Sequence, residues 1–385
     1  MKHFPLVEAP EVFGLHENAN ITFATTETYS LFGSMLSLMP KGGGGGDGVS
    51  SDEIIKGIAD DMLQRLPVKS DFYSFGLPWL VADVAELYPT DYEESMNTVL
   101  TQELLRYNGV ITNVRATLLQ LVKAVQGVVV MSTDLELMAK AFLNGTIPTL
   151  WSARCYPSLK PLGAFYDDFI RRLSFLQTWI NDGSPAVFWL PGFYFTQSFL
   201  TGTLQNYARK YKLAIDTLGW DFEVKRESRD DLPAKADDGC YIDGLFFDGA
   251  GWNKVDNVLA EQEPKVLFIP VNVIHFVPCE AKAIALSDTD YRCPIYKTSE
   301  RKGTLSTTGH STNFVMDIVI PSSVHADHWC VCFPLIFGSV HRVGSFPCAA
   351  CRCVFLDFFL GCIHYFLFLS SSLQLYCINT HEDSD

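Results

Sequence analysis

Two side chains in the sequence have the chemistry of a catalytic nucleophile or base. The Cys155 thiol lies in the segment SARCYPSL, and the His310 imidazole lies in the polar segment TTGHSTN. A nucleophilic hydrolase often carries a local signature such as Gly-x-Ser-x-Gly around its nucleophile. The sequence contains no such signature. We therefore expect a packed cysteine at 155 and a loop histidine at 310, and we assign no catalytic residue.

Paired carboxylates are the second candidate chemistry, because general acid–base catalysis and metal binding both use them. Adjacent residues on a helix diverge by about 100°, so two neighbouring carboxylates rarely converge on one ligand. We expect most of these pairs to be solvated. The pairs are Asp60 with Asp61, Glu93 with Glu94, Asp167 with Asp168, and Asp237 with Asp238.

Histidines and cysteines near the C-terminus have spacings that resemble those of zinc ligands. The surrounding segment is almost uncharged, rich in phenylalanine and without periodicity, which argues against a zinc module. Residues 353–378 are apolar enough to suggest a membrane span, but Asp357 and the serines at 370–372 weaken that interpretation. We therefore expect neither a metal site nor a membrane span. The zinc-like set is His325, His328, Cys330, Cys332, Cys348, Cys351 and Cys353.

A run of glycines at 42–46 is the first place to look for a phosphate-binding loop. A P-loop needs Gly-Lys-Ser/Thr at its end, between a strand and a helix. Here Lys41 precedes the glycines, and no lysine or hydroxyl residue follows them directly. We therefore read residues 42–48 as a loop and expect no nucleotide or other cofactor.

Helical periodicity dominates the first part of the sequence. Residues 23–39 read as a short helix, and a capping box at Ser50 and Glu53 opens another that Pro67 ends. An apolar residue recurs every three or four positions from Met96 to Val125, which predicts one helix of about thirty residues. This stripe fits a packed helical layer better than a coiled-coil seam. Further helices are predicted from a capping box at Thr133, over 162–180, and over 196–211.

After residue 215 the pattern changes to that of strands, punctuated by Gly, Pro and Asp. Strands and helices do not alternate, which argues against a doubly wound parallel sheet. We predict an α+β fold in which a helical block precedes a small antiparallel β-barrel or sheet. The candidate strands are 217–224, 240–248, 266–277, 292–297 and 314–320.

Composition narrows the possible classes of function. The 385 residues are 48% apolar, enough for a large core, and the net charge of −15 argues against nucleic-acid binding. The first ten residues have no apolar stretch of the kind found in a secretory signal. Seven of the eleven cysteines fall after residue 329, and the other four are scattered, which is typical of a reducing compartment.

Five long segments of the sequence carry a resemblance to a known family. They are 10–22 (PEVFGLHENANIT), 92–100 (YEESMNTVL), 156–163 (YPSLKPLG), 187–210 (VFWLPGFYFTQSFLTGTLQNYARK) and 296–314 (YKTSERKGTLSTTGHSTNF). In the same order, similar segments occur in the C-terminal region of dynein heavy chains, which this sequence resembles over almost all of residues 5–329. The segments are most similar to those of the axonemal heavy chains, particularly the inner-arm types.

The resemblance implies a role in an ATP-driven, minus-end-directed microtubule motor of cilia and flagella. In that family a ring of six AAA+ modules binds ATP and Mg²⁺, and a stalk grips the microtubule. Both lie upstream of the region that this sequence resembles, which braces and modulates the ring. The implied partners are the AAA+ modules of the same heavy chain, with intermediate chains, light chains and microtubules reached through the complex. The implied location is cytoplasmic, on the axoneme.

The same resemblance divides the sequence into four parts. Residues 1–130 are a helical segment after the sixth AAA+ module, 131–215 the helical part of the C-terminal domain, and 216–329 its β-rich part. Residues 330–385 are a tail foreign to the family, where a short closing strand is usual. Residues 72–80 resemble an insertion. We expect the tail to add nothing to function and to harm solubility, unless it replaces the missing strand.

Two other functions remain open at this point. One is a stand-alone soluble hydrolase that uses His310 or the acidic pairs. The other is a tail-anchored or zinc-binding adaptor that reuses the dynein fold. A pocket with converging titratable groups would favour the hydrolase, and membrane partitioning or stoichiometric zinc would favour the adaptor.

The lack of a P-loop predicts that the purified protein neither binds nor hydrolyses ATP. The glycine run offers backbone N–H groups but no lysine and no hydroxyl that could hold Mg²⁺ beside the phosphates. Isothermal calorimetry with Mg-ATP should therefore show no binding. A micromolar affinity would contradict the prediction.

Overall fold

The computed structural model places most of the sequence that resembles the family. It describes residues 18–38, 50–67, 79–232, 234–248, 250–281, 287–297, 314–329 and 374–376. The glycine run 42–48, His310 and most of the tail lie outside the described residues.

Helices make up most of the described residues before 215, as predicted. Two of them, α3 and α6, fall in segments where the sequence predicted no helix. The helices are α1 (Asn18–Leu38), α2 (Ser51–Arg65), α3 (Val81–Leu87), α4 (Ser95–Val125), α5 (Thr133–Leu143), α6 (Thr149–Ser152), α7 (Leu162–Asp182), α8 (Thr196–Tyr211) and α9 (Ala326–Trp329).

The long helix α4 confirms the apolar stripe. Every stripe position from Met96 to Leu121 is buried, and Val125 is partly buried. Gly109 does not interrupt the helix, which ends before Gly127, where the backbone takes a positive φ of 74°. Helices α2, α3, α5 and α8 all pack on α4. The stripe is therefore the centre of a helical layer and not a coiled-coil seam.

Capping confirms one predicted helix start and corrects another. The Asp52 N–H donates to Ser50 Oγ at 3.2 Å, and the Ser50 N–H donates to Glu53 Oε2 at 3.1 Å. For α5 the predicted N-cap, Thr133, is wrong. Ser132 takes that place, because its backbone is extended and its hydroxyl accepts from the Leu135 N–H at 3.3 Å.

Strands follow after residue 215, with one exception. The exception is β1, a three-residue strand between α7 and α8 that periodicity did not predict. The strands are β1 (Val187–Trp189), β2 (Leu218–Val224), β3 (Cys240–Asp243), β4 (Phe246–Asp248), β5 (Gly251–Asn253), β6 (Val258–Ala260), β7 (Phe268–Pro270), β8 (Ile274–Glu280), β9 (Asp290–Tyr296), β10 (Phe314–Pro321) and β11 (Gln374–Tyr376).

Three sheets are formed, with orders β1-β3-β8-β2, β10-β9-β11-β4-β7 and β5-β6. All pairs are antiparallel except β1 with β3 and β11 with β9. The predicted strand 240–248 is split at Gly244, whose φ of 90° breaks the extended backbone. None of the sheets closes into a barrel within the described residues, so the predicted alternatives resolve to open sheets.

The segment that resembled an insertion reaches the core at its end. Trp79 is buried, its indole Nε1 donates to Gln177 Oε1 at 2.8 Å, and its carbonyl oxygen accepts from Asn108 Nδ2 at 3.0 Å. Residues 68–78 are outside the described part of the sequence. Trp79 therefore links α4 to α7.

Two adjacent leucines on α4 test the packing of the helical layer. Leu118 is fully buried, whereas its neighbour Leu119 is 45% exposed. We expect Leu118→Ala to lower the free energy of unfolding by about 3 kcal/mol, because it leaves a cavity in the core. Leu119→Ala should change the free energy of unfolding by less than about 0.5 kcal/mol. Urea unfolding of both variants measures the difference, and equal effects would show that the stripe is not packed as described.

Candidate functional site

The structure describes one of the two candidate catalytic residues, Cys155, and His310 lies outside the described residues. Cys155 is buried in the helical block, and burial raises the pKa of its thiol to about 12, so the thiolate nucleophile is not available at neutral pH. Cys155 is thus a packed cysteine, as expected.

All members of the acidic pairs except Asp168 are at least partly exposed. Asp167 is exposed and pairs with Arg65, while Asp168 turns into the core. Glu94 accepts from the Met96 N–H at 3.0 Å at the start of α4. Asp238 accepts from Lys210 Nζ at 2.7 Å. Asp167 and Asp168 thus have different partners, so this pair does not present two carboxylates to one ligand.

The zinc-like and membrane-like segments can be followed only in part. His328 contacts the Glu261 carboxylate, and no group of three or more His, Cys, Asp or Glu side chains within the described ranges is arranged to hold a metal. The cysteines from 330 onward lie outside those ranges. In the part of the sequence that the structure describes, no helix is both long and apolar enough to cross a bilayer.

A buried cluster of charges on α7, called here the Arg172 cluster, is the first place where polar side chains converge. It consists of Asp168, Arg172 and Lys160 with the rings of Tyr156 and Tyr107. Arg172 Nε donates to Asp168 Oδ2 at 2.8 Å, and Lys160 Nζ lies 3.3 Å from Asp168 Oδ1. The guanidinium carbon of Arg172 is 3.8 Å from the centre of the Tyr156 ring, a cation–π contact.

Asp168 is held ionised by its neighbours. Burial would raise its pKa, but the charges of Arg172 and Lys160, and their hydrogen bonds, lower the pKa below its ordinary value. The carboxylate is therefore the anion that compensates two cations in the core. Breaking such a buried pair leaves a charge without compensation, which is costly.

A second buried carboxylate, Glu103 on α4, ties together elements that are distant in sequence. Its oxygens accept from the N–H groups of Tyr194 and Phe195 and from Arg106, the last at 3.1 Å. Phe195 is the N-cap residue of α8 and has no side-chain cap of its own. Glu103 therefore caps α8 from another helix, next to the positive end of the helix dipole.

Burial raises the pKa of Glu103, and the two backbone donors and Arg106 offset this only in part. One turn further along α4, Tyr107 donates to the Gly192 carbonyl oxygen at 2.9 Å. Lys297, at the end of β9, reaches the Tyr194 carbonyl oxygen at 3.5 Å. The segment 190–195 is thus fixed from α4 and from the sheet. Glu103 and the Arg172 cluster position helices, and their charged side chains do not line either of the two larger grooves of the described residues.

Two open grooves flank this framework. One, of about 590 Å³, is bordered by four basic side chains (Arg209, Lys210, Lys212, Lys235) and four acidic ones (Glu93, Glu94, Asp237, Asp238). Its charges balance, so it has no single-sign field for an anion or a cation. The other, of about 870 Å³, lies between α4, α8 and β10 and is lined by Val99, Leu200, Trp220 and Met316. Cys240 also borders the first groove, but burial raises the pKa of its thiol to about 12, so its thiolate is not available at neutral pH.

Comparison with known families agrees with this architecture. A family model for the C-terminal domain of the dynein heavy chain matches residues 25–332. The protein belongs to that family. The tail beyond residue 332 lies outside the match, as the change in composition indicated.

The sequence of this dynein C-terminal region is similar to those of axonemal heavy chains. It is 48% identical to axonemal heavy chain 1 of Homo sapiens over 329 residues, which are 86% of this chain and 8% of that protein. It is 48% identical to human axonemal heavy chain 12 over 331 residues, 86% of this chain and 10% of that protein. Axonemal heavy chain 1 of Rattus norvegicus is 47% identical, with 86% and 7% covered. The sequence thus spans a tenth or less of the length of these relatives.

The neighbouring residues Asp167 and Asp168 test the Arg172 cluster. Asp168→Asn should lower the free energy of unfolding at neutral pH by about 3–5 kcal/mol, because it leaves Arg172 buried without its anion. Asp167→Asn, which removes an exposed pair with Arg65, should cost less than about 1 kcal/mol. Urea unfolding measures both.

The same pair of variants has a pH signature. Because the pKa of Asp168 is lowered on folding, its contribution to stability is present above the ordinary pKa and is lost as the pH falls through the lowered value. The difference in the free energy of unfolding between the wild type and Asp168→Asn should therefore become smaller as the pH is lowered from neutral to about 3. A difference that stays constant would mean that the Asp168 charge is not what stabilises the cluster.

Proposed function

We propose that the protein is the C-terminal, non-catalytic region of an axonemal dynein heavy chain, which braces and modulates a ring of AAA+ modules. The motor in question is ATP-driven, minus-end-directed and serves ciliary and flagellar movement. The observation that carries the proposal is the identity of 46–48% to human axonemal heavy chains 1, 3 and 12 over 86% of this sequence.

The interior of the protein supports a bracing role. Its buried charged side chains hold helices in place. Glu103 caps α8, and Asp168 forms ion pairs with Arg172 and Lys160. Such contacts stiffen a framework, as a bracing role requires. The proposal therefore includes no cofactor for this region, and assigns ATP and Mg²⁺ to other parts of the heavy chain.

Helix α1 offers a surface for the rest of the heavy chain. Its first residue is anchored: Asn18 Nδ2 donates to the carbonyl oxygens of Glu263 and Val266 at 2.9 and 3.0 Å. Beyond this anchor, Tyr29, Leu31, Phe32 and Met35 are each more than half exposed. Adjacent exposed apolar side chains mark interaction sites. We assign this face to the AAA+ modules of the same heavy chain.

Other partners would be reached through the assembled motor. These are dynein intermediate and light chains and the microtubule, and the location is cytoplasmic, on the axoneme. The net charge of −15 argues against nucleic acid as a partner. Nothing among the described residues favours the hydrolase or the adaptor as the function.

A chimaeric motor tests the bracing role. The whole sequence, including β11, would replace the matching region of human axonemal heavy chain 1, and the microtubule-stimulated ATPase rate and gliding velocity would be measured. The double variant Leu31→Glu with Phe32→Glu should reduce both by about fivefold, the scale of coupling between distant sites, because charged side chains cannot dock in an apolar contact.

The control is Val255→Glu, an equally apolar and exposed position in the turn between β5 and β6. This control should leave motor activity unchanged. The double variant and the control should both leave the melting temperature of the isolated protein unchanged. Equal motor activity in the α1 variant and the control would refute the assignment of this face.

A further inference from the structure

The five-stranded sheet is joined by three residues of the tail. Strand β11 lies between β4 and β9, antiparallel to β4 and parallel to β9. Leu375 is in register with Phe247 on one side and with Ile295 on the other. Among the described strands, β11 alone connects the pair β9 and β10 to the pair β4 and β7.

The gap that β11 fills lies next to the core of the β-rich part. Phe247 in β4 is fully buried, and so are Cys293 and Ile295 in β9. Without a strand between them, β4 and β9 would each present a row of unpaired backbone N–H and C=O groups beside these side chains. Buried backbone groups without partners cost free energy, so the gap requires an occupant.

The occupant comes from outside the part of the sequence that matches the family. That match ends at residue 332, whereas β11 begins at Gln374. The segment 373–378 reads Leu-Gln-Leu-Tyr-Cys-Ile, which is uncharged and contains no proline. Such a sequence is suited to a central strand.

We propose that the gap between β4 and β9 is a strand-acceptor site for an extended peptide, which this protein fills with its own residues 374–376. The site recognises its ligand mainly through backbone hydrogen bonds on both sides, as in other cases of strand addition. Three paired residues form few such bonds. The tail therefore acts as a tethered ligand, held because its attachment keeps its local concentration high, and a free peptide of the same sequence can take its place.

Hydrogen exchange in the full-length protein tests the site. In the variant Leu375→Pro a residue of the central strand loses its N–H and fixes its φ, so β11 cannot pair. The amides of 246–248 and 295–296 should then exchange at least about tenfold faster than in the wild type. The matched control is Ser345→Pro, a proline in the tail outside β11, which should leave this exchange unchanged. Equal exchange in the two variants would overturn the proposal.

A peptide added in trans separates binding from simple damage to the fold. A synthetic peptide of residues 371–379, in excess over the Leu375→Pro protein, should restore the protection of 246–248 and 295–296 and raise the melting temperature. The same peptide with proline at the position of Leu375 should do neither. If both peptides act alike, the gap is not a strand-acceptor site.

The unaltered protein provides the test if Leu375→Pro alone fails to fold. The wild-type peptide would then carry a photoreactive group at its position 375. It should crosslink to 246–248 or 295–296 of the unaltered protein, and an excess of unlabelled peptide should suppress the crosslink. Crosslinks spread over the whole surface, or none, would overturn the proposal.

Discussion

Burial of one face of α4 is the constraint on which the helical part of the molecule depends. A helix of 31 residues with a continuous apolar stripe must be covered along its whole length, and α2, α3, α5 and α8 supply the cover. The same helix carries Glu103 and Tyr107 beside the stripe. Because these two residues bind the backbone of 192–195, covering the stripe also sets the position of α8 and of the segment before it.

The buried charges explain why this region is specific in shape. An apolar stripe can slide or rotate against its cover at little cost. A carboxylate that binds two backbone N–H groups cannot move in this way without losing its hydrogen bonds, and neither can a guanidinium that binds one carboxylate. Glu103 and Asp168 therefore convert a packed layer into one defined arrangement, which suits the bracing role that we propose.

Much of this fold could be predicted from periodicity, because long amphipathic helices follow one simple rule. Helices α2, α4, α7 and α8 and the strands β2, β9 and β10 were found in this way. Short elements such as α6, β1, β5 and β6 could not be, since three or four residues are too few for a period, and contacts distant in sequence determine their conformation. Of the two predicted alternatives, a barrel or a sheet, the described residues form open sheets.

The interior clusters were missed although the sequence contains a signal for them. Glu103 lies between Leu100 and Tyr107 at helical spacing, and Asp168 and Arg172 each stand three residues after a buried phenylalanine of α7. A charged residue on an apolar face indicates a buried partner, but the sequence does not show which partner. The partners of Glu103 are the backbone N–H groups of Tyr194 and Phe195, and residue type does not indicate which backbone groups a buried carboxylate will bind. Asp168 is the exception to the prediction that the acidic pairs are mostly solvated, for the same reason.

The pairing of β1 with β3 has a consequence for the order of events during synthesis. Val187–Trp189 leaves the ribosome well before Cys240–Asp243, the strand on which it depends. At about 5–20 residues per second the delay is roughly 3–10 s. The delay is longer for Asn18, because its hydrogen-bond partners are Glu263, Lys265 and Val266. The helical block cannot reach its final form as a nascent segment alone. Until the partners of β1 and α1 have been synthesised, these two elements of the helical block remain accessible to chaperones and to non-native partners.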